Sequence, residues 1–188
     1  MAERYLEGRV AWITGGGSGM GRAIAIALAE AGSDVAIGSL MESERANVVS
    51  NQKVYLLAHE ELEQAKAEIE ERGVRAVVRP LDVCSVESVK EFYDNVIQTF
   101  GKVDILVNAA GTFGVHSIVG HPDSLWHRTI DINLNGPYRT TRICLPGMIQ
   151  REWGRIINIA STGASVGAET TTPPIAPRSQ ACWGLLGA

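Results

Sequence analysis

Short apolar runs alternate with amphipathic stretches along most of this chain. Val10-Ala11-Trp12-Ile13 reads as a buried strand, and a glycine cluster from Gly15 to Gly21 follows it. Arg22 to Ala31 reads as an alanine-rich helix stopped by Gly32, and Val35-Ala36-Ile37 as a second strand. Glu60 to Arg72 sets Leu62, Ala65 and Ile69 at helical spacing among charges and closes on Gly73. Val74 to Val78 is a third strand, running into Pro80-Leu81-Asp82-Val83, and Val86 to Phe100 is a helix that Ser85 can cap. Val103 to Val107 and Ile156 to Ile159 supply a fourth and a fifth strand. Between them the pattern is helical from Ser124 to Ile149, with Pro137 and Pro146 as expected kinks or breaks.

Strands this short, joined by helices, imply a parallel sheet covered on both faces, because a parallel crossover needs a helix-length connection. The expectation is one α/β domain over residues 1–188, with no internal repeat and no second domain. Two segments depart from the pattern. Residues 40–58 exceed what a strand-to-helix turn needs and read as an insertion, within which Val54-Tyr55-Leu56-Leu57 is a candidate extra strand. From Gly163 onward the chain is rich in Thr, Pro and Gly without a period, most plainly over residues 166–188.

Composition narrows the class. With 17 Lys+Arg against 21 Asp+Glu the net charge is −4, which argues against a nucleic-acid partner. No apolar run approaches the roughly 18 residues of a membrane helix, and Met1 to Glu7 lacks the apolar core of a signal peptide. Cys84, Cys144 and Cys182 have no CxxC spacing and read as reduced thiols of a cytoplasmic protein. The spacings of His116, His121 and His127 suit neither one helix face nor a compact turn, so no metal site is expected and they read as polar loop residues. Trp12, Trp126 and Trp153 read as packing residues. Arg128, Arg139, Arg142, Arg151 and Arg155 read as a solvated or subunit face.

The segment Thr14-Gly15-Gly16-Gly17-Ser18-Gly19-Met20-Gly21 leaves a strand and opens a helix. There, bare backbone N–H groups and a helix N-terminus can face a diphosphate with no side chain in the way. A Walker loop is excluded because Arg22-Ala23 follows Gly21, and the GxGxxG register fails as well; what stands is TGxxxGxG.

At this point the chain resembles the short-chain dehydrogenase/reductase family. Asn108-Ala109-Ala110-Gly111 matches that family's NNAG element, and Leu81-Asp82-Val83 its adenine-contacting Asp. Asp131-Ile132-Asn133-Leu134-Asn135-Gly136 matches the helix carrying its active-site Asn, which falls on Asn133. Gly154 to Ser161 matches the strand ending at its catalytic Ser, which falls on Ser161. The resemblance runs in order from about residue 8 to 165 and implies a doubly wound Rossmann domain of strand order 3-2-1-4-5 that lacks the family's last strands. It further implies that Gly15, Gly17, Ser18, Gly19, Met20 and Gly21 line a pyrophosphate and that Asp82 and Val83 hold an adenine. Asn108, Ala109, Ala110 and Gly111 would lie by the ribose and diphosphate. The plainer alternatives stay open: Asp82 capping a turn, and Asn108 satisfying backbone groups between strands. A small carbonyl or alcohol substrate and a homodimer or homotetramer in the intact protein are also implied.

An acidic residue ending the second strand would favour NAD by binding its ribose. Here Ser39 stands in that place, with no carboxylate until Glu42 and no basic residue at Ser18, and the reading prefers NADP over NAD.

The catalytic end departs from the pattern. The family uses a Tyr to exchange a proton with the reacting oxygen and a Lys one helical turn later to lower that phenol's pKa. This chain has Pro174 at the Tyr position, no Tyr after Tyr138 and no Lys after Lys102. Read one nucleotide out of frame, Pro174 to Leu185 can encode Tyr-Arg-Ala-Ser-Lys-Ser-Gly-Val-Leu-Gly-Leu, in which Cys182-Trp183 and Trp183-Gly184 dictate the final Leu-Gly pair. Two readings follow. One is an oxidoreductase interconverting a ketone and a secondary alcohol, its gene or its reading frameshifted, so that the chain as written would be poorly stable or poorly active alone. The other is a catalytically silent nucleotide-binding protein.

Overall fold

The computed structural model describes residues 4–43, 56–112 and 119–160. Its centre is β1, Val10–Thr14, buried along its whole length. Alternation sends Val10 and Trp12 to one face of the sheet and Ala11 and Ile13 to the other. A strand buried on both faces must be flanked on both edges, and β1 pairs in parallel with β2, Asp34–Ser39, and with β4, Ile105–Asn108. The outer places go to β3, Ala76–Pro80, against β2 and β5, Arg155–Asn158, against β4. The order is β3-β2-β1-β4-β5, all parallel, the doubly wound arrangement expected from the sequence.

The helices divide between the faces. On one, α1 (Gly19–Glu30) and α2 (His59–Glu70) supply Ala25, Ala29, Leu62, Ala65 and Ile69 against Ile13, Ile37 and Val107. On the other, α3 (Val86–Phe100) supplies Val89, Phe92 and Val96, and α5 (Gly136–Gln150) supplies Cys144 and Met148, around Trp12 and Leu106. Trp12 is fully buried and stacks on Phe92 with ring centroids 5.1 Å apart, as the packing reading requires. Ser85 caps α3 by accepting from the Ser88 N–H at 3.1 Å.

Three expectations are corrected. The first helix starts at Gly19 rather than Arg22, so two of the cluster's glycines lie in its opening turn. The long helix is two: α4, Asp123–Ile130, then one widened turn over Asp131–Asn135, then α5. Pro137 sits in the first turn of α5, where a missing N–H costs nothing, and Pro146 lies inside α5 without ending it. Within the 40–58 segment, Leu57 forms a single parallel bridge to Met41, both side chains buried; Val54 and Tyr55 lie outside the described residues.

Part of the arginine row is the third. Arg128 turns inward onto Asp82 and Arg139 binds Asp131 and the Val83 carbonyl, whereas Arg151 stays exposed, as expected, while donating to the Val103 carbonyl at 2.6 Å. Arg142, lying over the Tyr138 ring, and Arg155, over Trp153, keep to the solvent side. Cys84 and Cys144 are free thiols, and burial pushes both far above the ordinary range. No helix among the described residues is long and apolar enough to cross a membrane.

Candidate functional site

A cleft of about 370 Å³ opens at the C-terminal edge of the sheet, where β1 and β4 part to feed helices on opposite faces. Ligands collect at such a switch point because strand ends, loop backbones and helix N-termini converge there.

One wall is backbone. The loop between β1 and α1 brings Gly15, Ser18, Gly19, Met20 and Gly21 to the cleft. Gly15 has φ 67°, and a Cβ there would lie 2.9 Å from the Ala110 backbone, so only glycine fits. A Cβ on Gly21 would collide with the Gly15 carbonyl, so glycine lets the first turn of α1 close on the loop. Ser18, the N-cap of α1, makes no side-chain cap hydrogen bond. The positive end of that helix therefore reaches the cleft without an internal cap, a donor set matched to an anion. Gly17 lies behind this wall, and its N–H donates to Ser39 Oγ at 3.0 Å. That bond uses the Ser39 hydroxyl as acceptor and leaves its own proton to donate.

The floor joins the ends of β3 and β4. Leu81, Asp82 and Val83 line it from one side, and Ala109, Ala110, Gly111 and Thr112 from the other. Asp82 does cap a turn, its Oδ1 accepting from the Cys84 N–H at 2.9 Å, and it also faces the cleft. Asn108 takes the plainer role. Its amide donates to Asn158 Oδ1 at 2.9 Å and accepts from Thr140 Oγ1 at 2.7 Å, tying β4 to β5 and α5 while its chain neighbours face the cleft. Thr14 Oγ1 accepts from the Ala110 N–H at 3.1 Å, which holds the two loops together across β1 and β4.

Asn133 lies in the widened turn, almost fully buried. Its Nδ2 donates to the Thr112 carbonyl at 2.8 Å, and its Oδ1 accepts from the Thr112 N–H at 2.9 Å. The turn itself is held through Asp131. Burial pushes the Asp131 carboxyl up, but hydrogen bonds from Asn135, Arg139 and Cys84 outweigh this and hold it below the ordinary carboxylate range. Ser161 lies outside the described residues.

Sequence reasoning did not place Arg128 here. It reaches the cleft from α4, with its side chain 15% exposed and a terminal nitrogen 3.3 Å from Asp82 Oδ2. The available signal was spacing: Arg128 lies three residues after Leu125 and four before Ile132, both buried, and so shares their helix face.

A family model for short chain dehydrogenase matches residues 50–173. The glycine loop lies outside that span, so its cradle is an independent observation. An uncharacterized oxidoreductase of Thermotoga maritima is 40% identical over 168 residues, which cover 89% of this chain and 59% of that protein. A D-beta-hydroxybutyrate dehydrogenase of Cupriavidus necator is 33% identical over 184 residues, covering 97% and 62%. Among solved structures, a carveol dehydrogenase from Mycobacterium avium in complex with NAD superposes with a TM-score of 0.86 at 26% identity, over 96% of this chain and 64% of that one. The chain thus spans about three-fifths of the length of the relatives it matches.

Proposed function

The chain belongs to the short-chain dehydrogenase family, and from that premise we propose that its cleft takes a nicotinamide dinucleotide for hydride transfer between a ketone and a secondary alcohol. The carrying observation is the backbone cradle, in which Gly15 and Gly21 admit no side chain and the uncapped start of α1 opens into the same cleft as Asp82. Those features fit a diphosphate flanked by a nucleoside.

When bound, the nicotinamide ring supplies the hydride acceptor or donor. The residues of this chain do the holding. The first N–H groups of α1 offset the diphosphate charge, and Asp82 accepts from the amine of an adenine. Ser39 offers its hydroxyl proton where the second strand ends. With no carboxylate at that end and Asp82 already paired to Arg128, the cleft favours NADP over NAD. Asn133 fixes the Thr112 loop above the sheet edge, and Ser161 would hydrogen-bond the reacting oxygen. Tyr138, Leu145 and Ile149 stand exposed along α5 and would carry the contact in a homodimer or homotetramer.

A second reading, nucleotide binding without turnover, is favoured by one observation: Pro174 stands where the family's pattern has its Tyr. Fluorescence titration with NADPH and NADH tests the shared step, with saturable binding and tighter NADPH expected; no binding of either overturns both readings. Turnover on a panel of ketones and secondary alcohols then separates the two. Sequencing the coding DNA beyond the Ser161 codon decides whether the out-of-frame Tyr-x-x-Ser-Lys is the true reading.

A further inference from the structure

We propose that Arg128 is a positioning residue for the adenine end of the cleft, acting through Asp82; the inference rests on the nucleotide reading above. Arg128 comes from α4, while Asp82 follows β3, so their contact bridges the two sides of the cleft mouth. One terminal nitrogen of Arg128 lies 3.3 and 3.5 Å from the two Asp82 oxygens. The Cys84 N–H holds Oδ1 from the other side at 2.9 Å. The carboxylate is therefore clamped in orientation before any ligand arrives.

The clamp has two chemical consequences. A bare carboxylate at this mouth would repel the phosphates of a dinucleotide, and the guanidinium offsets that charge. It does so without using up the acceptor sites: a carboxylate offers about four lone-pair sites, and three contacts are made. Asp82 can still accept an exocyclic N–H, which an adenine has at its edge and a guanine replaces with a carbonyl oxygen. Arg128 Nε is buried and has no hydrogen-bond partner among the described residues. Leaving such a donor unmade is costly, and a ring nitrogen or ribose oxygen in the cleft would satisfy it.

The test is calorimetric titration of the full chain with ADP and with GDP, for the wild type, R128Q, R128K and D82N, and for the double variant R128Q/D82N. The wild type is expected to prefer ADP. R128Q should weaken ADP about tenfold, the size expected for a hydrogen bond to a charged group, and collapse the ADP-to-GDP ratio. R128K restores the charge without the planar fork and should recover part of that ratio. The double variant should be no worse than D82N alone, as expected for residues acting as a unit. The inference is overturned if R128Q keeps the wild-type ADP-to-GDP ratio, or if the R128Q and D82N losses add in full. If the wild-type chain binds no ADP, the nucleotide reading falls, and this inference with it.

Discussion

The two walls of the cleft are built by opposite means. The β1–α1 wall is fixed by the absence of side chains: Gly15 packs on the Ala110 backbone and Gly21 on the Gly15 carbonyl, with no side-chain hydrogen bond at the cap of α1. The other wall, where Ala109 to Thr112 follow β4, is fixed from behind by side chains that satisfy one another. Asn108 links Asn158 to Thr140, and Asn133 grips the Thr112 backbone with both ends of its amide. A wall of the first kind keeps its N–H groups for a ligand and fails when anything is added. A wall of the second kind has its polar groups already spent and fails when anything is removed.

The largest effect should come from adding atoms to the first wall. Gly15→Val forces a branched residue into a left-handed backbone and against Ala110, at about 2–5 kcal/mol in a melting experiment. ADP binding should vanish with it; a Gly15→Val chain that binds ADP normally would break the comparison. Removal from the second wall comes next. Asn108→Ala strands Asn158 Oδ1, although the Thr140 hydroxyl can still donate to the Gly136 or Pro137 carbonyl. It should cost about 1–3 kcal/mol, while the folded fraction keeps more of its ADP affinity than Gly15→Val does.

The smallest effect reads the turn that carries Asn133. The folded Asp131 carboxyl lies below its ordinary 3.8, so the stability it contributes is present above that value and lost as pH falls through the folded one. Asp131→Asn should cost roughly 0.5–1 kcal/mol near neutrality, after allowing for solvent screening of a partly exposed group. It should also flatten the acid limb of the stability profile; an unchanged acid limb would remove Asp131 from the account.

The same contrast explains what could be read in advance. The glycine wall and the strands of the sheet were visible in the sequence, because glycines at fixed offsets and apolar runs between helices are local signals, whereas the order of the strands followed only from the family resemblance. The break before α5 was misplaced onto the prolines. The widened turn at Asp131–Asn135 is held by partners outside it, namely Thr112 for Asn133 and Arg139 and Cys84 for Asp131, and no local periodicity announces them. Arg128 was misread for a related reason. Composition groups it with four other arginines, and only its register with Leu125 and Ile132 marks it as inward. Asn108 shows the limit of motif reasoning: the motif marks the right loop, while the fold uses that side chain as a tie.

The most direct test of the two-wall account is amide chemical-shift mapping of the isotope-labelled chain during titration with NADPH. Gly15, Ser18 to Gly21, Asp82, Val83 and Ala109 to Gly111 should shift together and saturate at one affinity, with the amides of the Asn108–Asn158–Thr140 tie moving least. Saturation with no shift in the glycine loop, or shifts centred on another face of the sheet, would contradict the account.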